Sequence, residues 1–282
     1  VSTDESVLTR QQAQLLDQWY PERRVIADLS WDLARTHVLE MSASDQHLII
    51  KAAGSADREI AREIRAHREW LRPWTSIGRA PELLHADRPA RIIATRYLPG
   101  QLVQGSIAEQ RTKTYRQAGE LLALLHGQTA VVDPDHARRE RERTLQTLDR
   151  PHRLSSDLER QTRDHVEDWP DLPVVLVPTH GDWQPRNWLD HNGTISVIDF
   201  GHADLRPAIS DFVRLSSRQF RTDPSLEAAF IEGYGADPRQ PAAWRRERIR
   251  QAIGTAVWAY EVGDEPFEME GRRNLIDLLE TT

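Results

Sequence analysis

The run Thr179-His180-Gly181-Asp182-Trp183-Gln184-Pro185-Arg186-Asn187 sets a carboxylate five positions before a carboxamide, and Asp199 follows twelve positions later. Oxygen-only groups of this kind suit hard Mg²⁺, which keeps several waters and completes its shell with phosphate. Asn192-Gly193, flanked by alternating apolar runs, signals a two-residue hairpin. With that turn His191 faces Thr194, and counting outward sets Asn187 opposite Ile198, beside Asp199. Neighbouring strand positions face opposite sides, so the ladder has to end there for both groups to meet one ion. Asp182 is placed to orient, or take a proton from, a hydroxyl attacking a phosphoryl group. Phosphoryl transfer needs little covalent help: a base, one or two metal ligands and a cation on the phosphates make up most of the apparatus.

Lys51 supplies the cation. Of 37 basic residues only Lys51 and Lys113 are lysine, and Lys113 lies on a polar helical stretch where it is solvated. Lys51 ends the apolar run Leu48-Ile49-Ile50, where a partly buried ammonium demands a partner. The helical pattern over 57–71 offers three carboxylates. At about 100° per residue, Glu69 falls opposite Ile60 on the outward face. Glu63 lies on the inward flank beside His67, with Glu59 on its edge, so Glu63 is the preferred partner and Glu59 the reserve.

The elements that must hold these groups change character along the chain. Residues 7–19 read as a helix, 24–29, 36–42, 47–52 and 91–97 as strands, and 57–71 as one long helix; Leu98-Pro99-Gly100 breaks any ladder. Beyond it come helical patterns at 107–128, 136–149, 156–169, 207–219, 224–234, 241–261 and 271–280, with an apolar strand at 172–177. This predicts an α+β chain of two lobes: a small antiparallel-sheet lobe over 1–98 and a larger, mainly helical lobe over 99–282.

Composition narrows the function. The chain has 282 residues, 39% of them hydrophobic, no cysteine and a net charge of −7. Thiolate metal sites, disulfides and cysteine nucleophiles are excluded, and the acidic balance is the wrong sign for a sequence-independent hold on nucleic acid. No apolar run reaches the roughly 18 residues that cross a bilayer. The polar, acidic start is unlike a secretory leader, so a cytoplasmic protein is expected. The alternating-sign runs at 138–143 and 245–250 read as solvated helix faces. Nothing bears on oligomeric state.

His180-Gly-Asp182…Asn187 followed by Ile198-Asp199-Phe-Gly201 resembles the catalytic loop and metal-binding motif of the aminoglycoside phosphotransferase and choline kinase-like family, relatives of the protein kinases. The likeness extends to Ile50-Lys51, Arg62-Glu63, Thr95-Arg-Tyr-Leu-Pro-Gly100, Leu121-Leu-Ala-Leu-Leu-His126 and Ile209-Ser-Asp211. It spans roughly 25–235 in the correct order, and it is the paired motifs that are specific. The resemblance implies a protein-kinase-like fold with Asp182 as catalytic base, Asn187 and Asp199 holding Mg²⁺, and Lys51 on ATP phosphates while pairing with Glu63. Backbone groups of Arg96 and Leu98 would receive adenine, and Asp211 would brace the catalytic loop. The implied activity is ATP- and Mg²⁺-dependent transfer of the γ-phosphate to a hydroxyl of a small molecule, an aminoglycoside or other antibiotic among the candidates. The alternatives are a metabolic kinase of choline, ethanolamine, homoserine or a sugar, and a non-catalytic nucleotide-binding scaffold.

Three departures stand out. The phosphate-covering loop falls at 30–35 and has no glycine, leaving Ser30 or Arg35 to substitute. Gly181 stands where protein kinases carry arginine, and no Ala-Pro-Glu follows Asp199, which disfavours a protein substrate. The acidic aromatic stretch 258–270, with Tyr260, Glu261, Asp264 and Glu265, either faces a cationic acceptor or is an exposed acidic loop. Trp183 either walls the acceptor site or packs under the loop. His126 is expected as a satisfied structural histidine. A metal hydrolase built on His180, Asp182, Asp199 and His202 would leave Lys51 and Asn187 without work.

Overall fold

A computed structural model describes residues 7–30, 36–54 and 57–280. The first elements are α1 (Arg10–Trp19), β1 (Arg23–Asp28), β2 (Thr36–Ala43), β3 (Gln46–Ala53), α2 (Glu59–Glu69), α3 (Arg72–Thr75), β4 (Leu83–Asp87) and β5 (Ile92–Arg96). There follow β6 (Gln101–Leu102), α4 (Thr112–His126), β7 (Val131–Asp133), α5 (His136–Leu148), α6 (Ser156–Glu167), β8 (Val174–Thr179), β9 (Trp188–His191) and β10 (Thr194–Val197). The chain continues through β11 (Asp204–Arg206), α7 (Val213–Ser217), α8 (Gln219–Thr222), α9 (Pro224–Tyr234), α10 (Pro241–Val262) and α11 (Glu265–Glu280). Two compact units result. One joins Val1–Gln128, His180–Asp204 and Ala228–Gly235; the other joins Thr129–Thr179, Leu205–Glu227 and Ala236–Thr282. Of the loop expected at 30–35, only Ser30 lies within the described residues.

In the first unit five antiparallel strands run in the order β1-β2-β3-β5-β4. The edge strand β4 was not expected: Leu83-Leu-His-Ala-Asp is too short and too polar at its end to show a period of two. One sheet face buries Leu39, Met41, Leu48 and Ile50 against Leu16 of α1. The other carries Ala53 and Ile93, covered by Ile60 and Ile64 of α2. Strand alternation puts Lys51 on the face of Ala53, toward α2, while Ile50 enters the opposite core. Asp57 starts α2, its Oδ1 accepting from the backbone N–H of Glu59 (2.7 Å) and Ile60 (3.2 Å). That carboxylate satisfies donors a helix start otherwise leaves bare.

Also in this unit, β9 and β10 form a hairpin that β6 joins at its edge. Asn192 (φ 52°) and Gly193 (φ 78°) both take left-handed backbone, the pattern of a two-residue turn whose twist matches its strands. The register is Thr194 opposite His191 through Val197 opposite Trp188, after which Ile198 N–H donates to the carbonyl of Asn187 at 3.0 Å. The pairing is the one counted from the turn, and the ladder stops at this point.

The second unit is mainly helical. A core of Leu148, Val166, Trp169, Ile249, Ile253, Val257 and Leu275 joins α5, α6, α10 and α11. Its sheet is β11-β8-β7. Helix α11 starts at Glu265, six residues before the periodicity placed it, because Asp264 Oδ1 accepts from the N–H of Phe267 (3.1 Å).

Candidate active site

The ammonium of Lys51 lies 2.9 and 3.0 Å from the two oxygens of Glu63 and 2.9 Å from Oδ1 of Asp199. Side-chain exposure grades across the three: 4% for Glu63, 15% for Lys51 and 43% for Asp199. Burial pulls the lysine pKa down, but the charges of Asp199 and Glu63 outweigh it, and the amine sits above its ordinary value. The Lys51 charge holds Asp199 well below the carboxylate range. Burial pushes Glu63 up against the opposing pull of Lys51. Glu59, the reserve partner, instead reaches His202 at 3.5 Å.

Asp199 owes its position to the end of the hairpin. Its φ is +66°, a left-handed conformation that, after glycine, asparagine and aspartate adopt most readily, and it breaks strand alternation one residue after Ile198. Phe200 is fully buried, and its ring meets His180 at 5.3 Å and His67 at 5.4 Å, edge to face in both cases. His180 is equally buried. Asp182 N–H donates to its Nδ1 (3.3 Å), so Nδ1 is an acceptor and the ring proton sits on Nε2, which donates to the carbonyl of Ile198 (3.1 Å). The imidazole thus ties the loop to the hairpin with both nitrogens in use. That removes it from the set a histidine–aspartate metal hydrolase would need. Among the described residues no group of three or more His, Asp or Glu side chains could hold a metal ion by itself.

Asp182 is 2% exposed, and its carboxylate is gripped by donors. Oδ1 accepts from Gln184 Nε2 (2.5 Å); Oδ2 accepts from Arg186 Nη2 (2.7 Å), Arg186 Nε (3.1 Å) and Asn187 Nδ2 (2.8 Å). Asn187 Nδ2 also donates to the Asp182 carbonyl at 2.8 Å. With its nitrogen bound to two oxygens of one residue, the Asn187 amide is oriented and presents Oδ1 as its remaining ligating atom. A carboxamide oxygen and a partly exposed carboxylate fit a hard divalent cation that takes the rest of its shell from water and phosphate. Gln184 and Arg186 were not singled out in the sequence. The available signal was the four-residue spacing from Asp182 to Arg186, which one helix-like turn converts into contact.

The remaining expected positions fall as follows. Arg96 N–H is donated to the Glu82 carbonyl (2.9 Å), so its carbonyl is the atom left to offer an adenine; Leu98 follows the last strand residue by two. The Ser30 hydroxyl accepts from Val38 N–H at 3.0 Å, closing the mouth between β1 and β2. Trp183 packs under the loop: it is 1% exposed and lies against Trp74, Trp188 and His180, with no surface left for a substrate. His126 bonds Tyr234 Oη at 2.9 Å. In the second unit Asp211 is buried in a short 3-10 turn. There too Glu261 is seated on Arg150, Glu265 on Arg153 (3.1 Å), the Tyr260 ring lies 5.1 Å from the Arg153 guanidinium, and Asp264 starts α11.

A model of the phosphotransferase enzyme family matches residues 43–248. The chain belongs to that family. Solved structures share the fold at low identity. Choline kinase LicA from Streptococcus pneumoniae is 13% identical, covering 97% of this chain and 100% of its own, with a TM-score of 0.70. Aminoglycoside phosphotransferase APH(4)-Ia, in a ternary complex with ADP and hygromycin B, is 14% identical over 94% of this chain and 97% of its own, with a TM-score of 0.68. A choline/ethanolamine kinase family protein from Mesorhizobium loti is 22% identical over 90% and 88%, with a TM-score of 0.62. No curated protein matches the sequence significantly. The family member thus has an α+β, protein-kinase-like fold, with an antiparallel five-stranded sheet toward its N-terminus and a helical C-terminal part.

Proposed function

We propose that this phosphotransferase moves the γ-phosphate of ATP to a hydroxyl of a small molecule, with Asp182 as the base. The observation that carries the reading is the junction of Lys51, Glu63 and Asp199, reached from a strand, a helix and a hairpin end. Glu63 fixes the lysine in one rotamer, so the ammonium presents its charge to phosphate oxygens at little further cost in ordering. Asn187 Oδ1 and the Asp199 carboxylate are the atoms that would hold Mg²⁺, which when bound would neutralise charge on the phosphates.

The acceptor hydroxyl gives its proton to the Asp182 carboxylate while its oxygen bonds to the γ-phosphorus. The bond from that phosphorus to the β–γ bridging oxygen breaks, and ADP carries the electron pair away. Gln184, Arg186 and Asn187 hold the carboxylate in one orientation throughout, which is the positioning that phosphoryl transfer depends on. Nucleotide complexes among the fold neighbours, with ADP in the aminoglycoside enzyme, support the choice of donor. The test is to incubate the purified protein with γ-¹⁸O-labelled ATP and a metabolite extract and follow masses. One species should gain a labelled phosphoryl group, and should fail to do so with Asp182→Asn; no labelled product with any hydroxyl compound would overturn the reading.

A further inference from the structure

Strand β10 is an edge of the order β10-β9-β6, so alternate residues along it turn N–H and C=O away from β9. Ile195 and Val197 are both buried, and backbone groups so placed need partners from elsewhere. A side chain of α4 and the loop after α3 supply them. Ile195 N–H donates to Gln117 Oε1 at 3.2 Å, and the Ile195 carbonyl accepts from Arg79 Nη1 at 2.5 Å. Val197 N–H donates to the Arg79 carbonyl at 2.8 Å. Gln117 Oε1 also accepts from Arg79 Nη1 (3.0 Å), and its Nε2 donates to the Gly193 carbonyl (3.0 Å). The amide is fixed in this sense, because turned over it would set N–H groups against two donors.

This grip is itself anchored. Arg79 N–H donates to the Trp74 carbonyl (2.8 Å), and the buried Trp74 donates through Nε1 to the Leu121 carbonyl of α4 (2.8 Å). Leu121 lies four residues beyond Gln117 on the same helix, so one rigid element supports both parts of the grip. What it serves lies at the end of β10. Asp199 follows Val197 by two residues, and the last rung, from Ile198 N–H to the Asn187 carbonyl (3.0 Å), joins the two chain ends that carry the candidate metal-ligating oxygens. With 43% of its side chain exposed, Asp199 is fixed more by its 2.9 Å contact with Lys51 than by packing. Phosphates drawing on the Lys51 ammonium would weaken that hold. The backbone behind Asp199 then has to keep the carboxylate aimed.

We propose that Arg79 and Gln117 are positioning residues for metal binding: by closing the free edge of β10 they keep Asp199 within reach of an ion that Asn187 also ligates. The inference rests on the assignment of Asn187 and Asp199 as the Mg²⁺-holding residues. It is independent of the acceptor and of Asp182 as base. A grip that served the fold alone would change stability and leave metal affinity as it was; this one sets the affinity.

Two measurements without turnover test it. In the ligand-free protein, amide hydrogen exchange in Arg79→Met and Gln117→Leu should quicken by roughly three- to tenfold at Ile195 and also at Ile198, the rung beside Asp199. In the second, Mn²⁺ with ADP is titrated by electron paramagnetic resonance. Both variants should bind the ion roughly tenfold more weakly, as a ligand does when its supporting contacts are lost, while ADP affinity measured in EDTA is unchanged. Arg79→Lys, which can still donate to the Ile195 carbonyl, should recover part of the loss. Arg116→Gln, on an exposed arginine of the same helix, should change neither reading. Circular dichroism verifies folding, and should Arg79→Met fail to fold, Gln117→Leu, which leaves Arg79 on the Ile195 carbonyl, decides alone. Variants that unfold earlier yet bind Mn²⁺ as wild type does would make the grip purely structural. Faster exchange at Ile195 without any at Ile198 would show that it stops short of the ligands. Either result overturns the proposal and leaves the metal assignment standing, whereas wild type taking up no Mn²⁺ with ADP would overturn both.

Discussion

Charge is handled in opposite ways by the two units. In the first, a few charged groups are buried or nearly so and each has a fixed partner: Lys51 with Glu63 and Asp199, Asp182 with Arg186 and Asn187. In the second, charges are numerous, mostly exposed and joined by pairs such as Arg150–Glu261 and Arg153–Glu265 along the helix surfaces. Burial makes the first kind costly to break, because a lone charge cannot be re-solvated. Exposure makes the second kind nearly interchangeable, because water replaces a lost partner. Function that depends on a fixed geometry belongs with the first kind.

The largest expected effect falls on the reaction. Asp182→Asn removes the proton acceptor and should lower kcat by roughly 10²–10⁴-fold, with the ATP dissociation constant nearly unchanged by titration. A variant with wild-type turnover would remove Asp182 from the mechanism. Next comes stability. Lys51→Met strands Glu63 at 4% exposure and should cost about 3–5 kcal/mol in urea unfolding. Because the cost is that of an unpaired buried charge, adding Glu63→Leu should recover much of it; a double variant as unstable as the single one would show that the pair is not what Lys51 stabilises.

The first unit's site was legible for local reasons. Turn chemistry at Asn192-Gly193 fixes a register, and a register places Asn187 against Ile198 without knowledge of the rest of the fold. Helical period alone ranks Glu63 above Glu59 and Glu69, and Glu63 is the residue within 3.0 Å of Lys51. Three things escaped. The left-handed φ of Asp199 falls where the ladder ends, and although aspartate tolerates that conformation better than most residues, nothing in its local sequence marks this aspartate as the one to adopt it. Arg186 meets Asp182 through a 3-10 turn over Pro185–Asn187, which shows no apolar period to read. In the second unit Glu261 and Arg150 are 111 positions apart, so the acidic stretch around 258–270 gave no hint that arginines already occupy it. Local chemistry survives in sequence; pairings set by tertiary packing do not.

A medium effect depends on pH and on His67. Both ring nitrogens are shielded from water and without a hydrogen-bond partner, and burial, with the Lys51 charge, pulls its pKa down to about 3. In the unfolded chain the same imidazole takes its proton near pH 6.5. The unfolded state therefore binds the extra proton between these values. The stability at stake is fully present above pH 6.5 and is lost as pH falls toward 3, at about 1.4 kcal/mol per pH unit. Urea midpoints for His67→Leu should accordingly fall less steeply than wild type between pH 6.5 and 5, a difference of about 2 kcal/mol in unfolding free energy. Parallel pH profiles would mean that the imidazole gains a proton in the native state too.

The smallest effect is the one that tests the comparison from the other side. Arg150 and Glu261 make a bidentate contact with 49% and 31% of their side chains exposed. If exposure governs cost, Arg150→Ala should change unfolding free energy by no more than about 1 kcal/mol, and raising salt should shrink even that difference, since surface pairs are screened over about 8 Å at physiological ionic strength. A double-mutant cycle with Glu261→Gln isolates the pair from the packing of the arginine stem, which can contribute on its own. Coupling as large as the Lys51–Glu63 term would mean that bidentate geometry, not burial, decides what an ion pair contributes in this protein. The division between the two units would then have to be drawn by contact geometry alone.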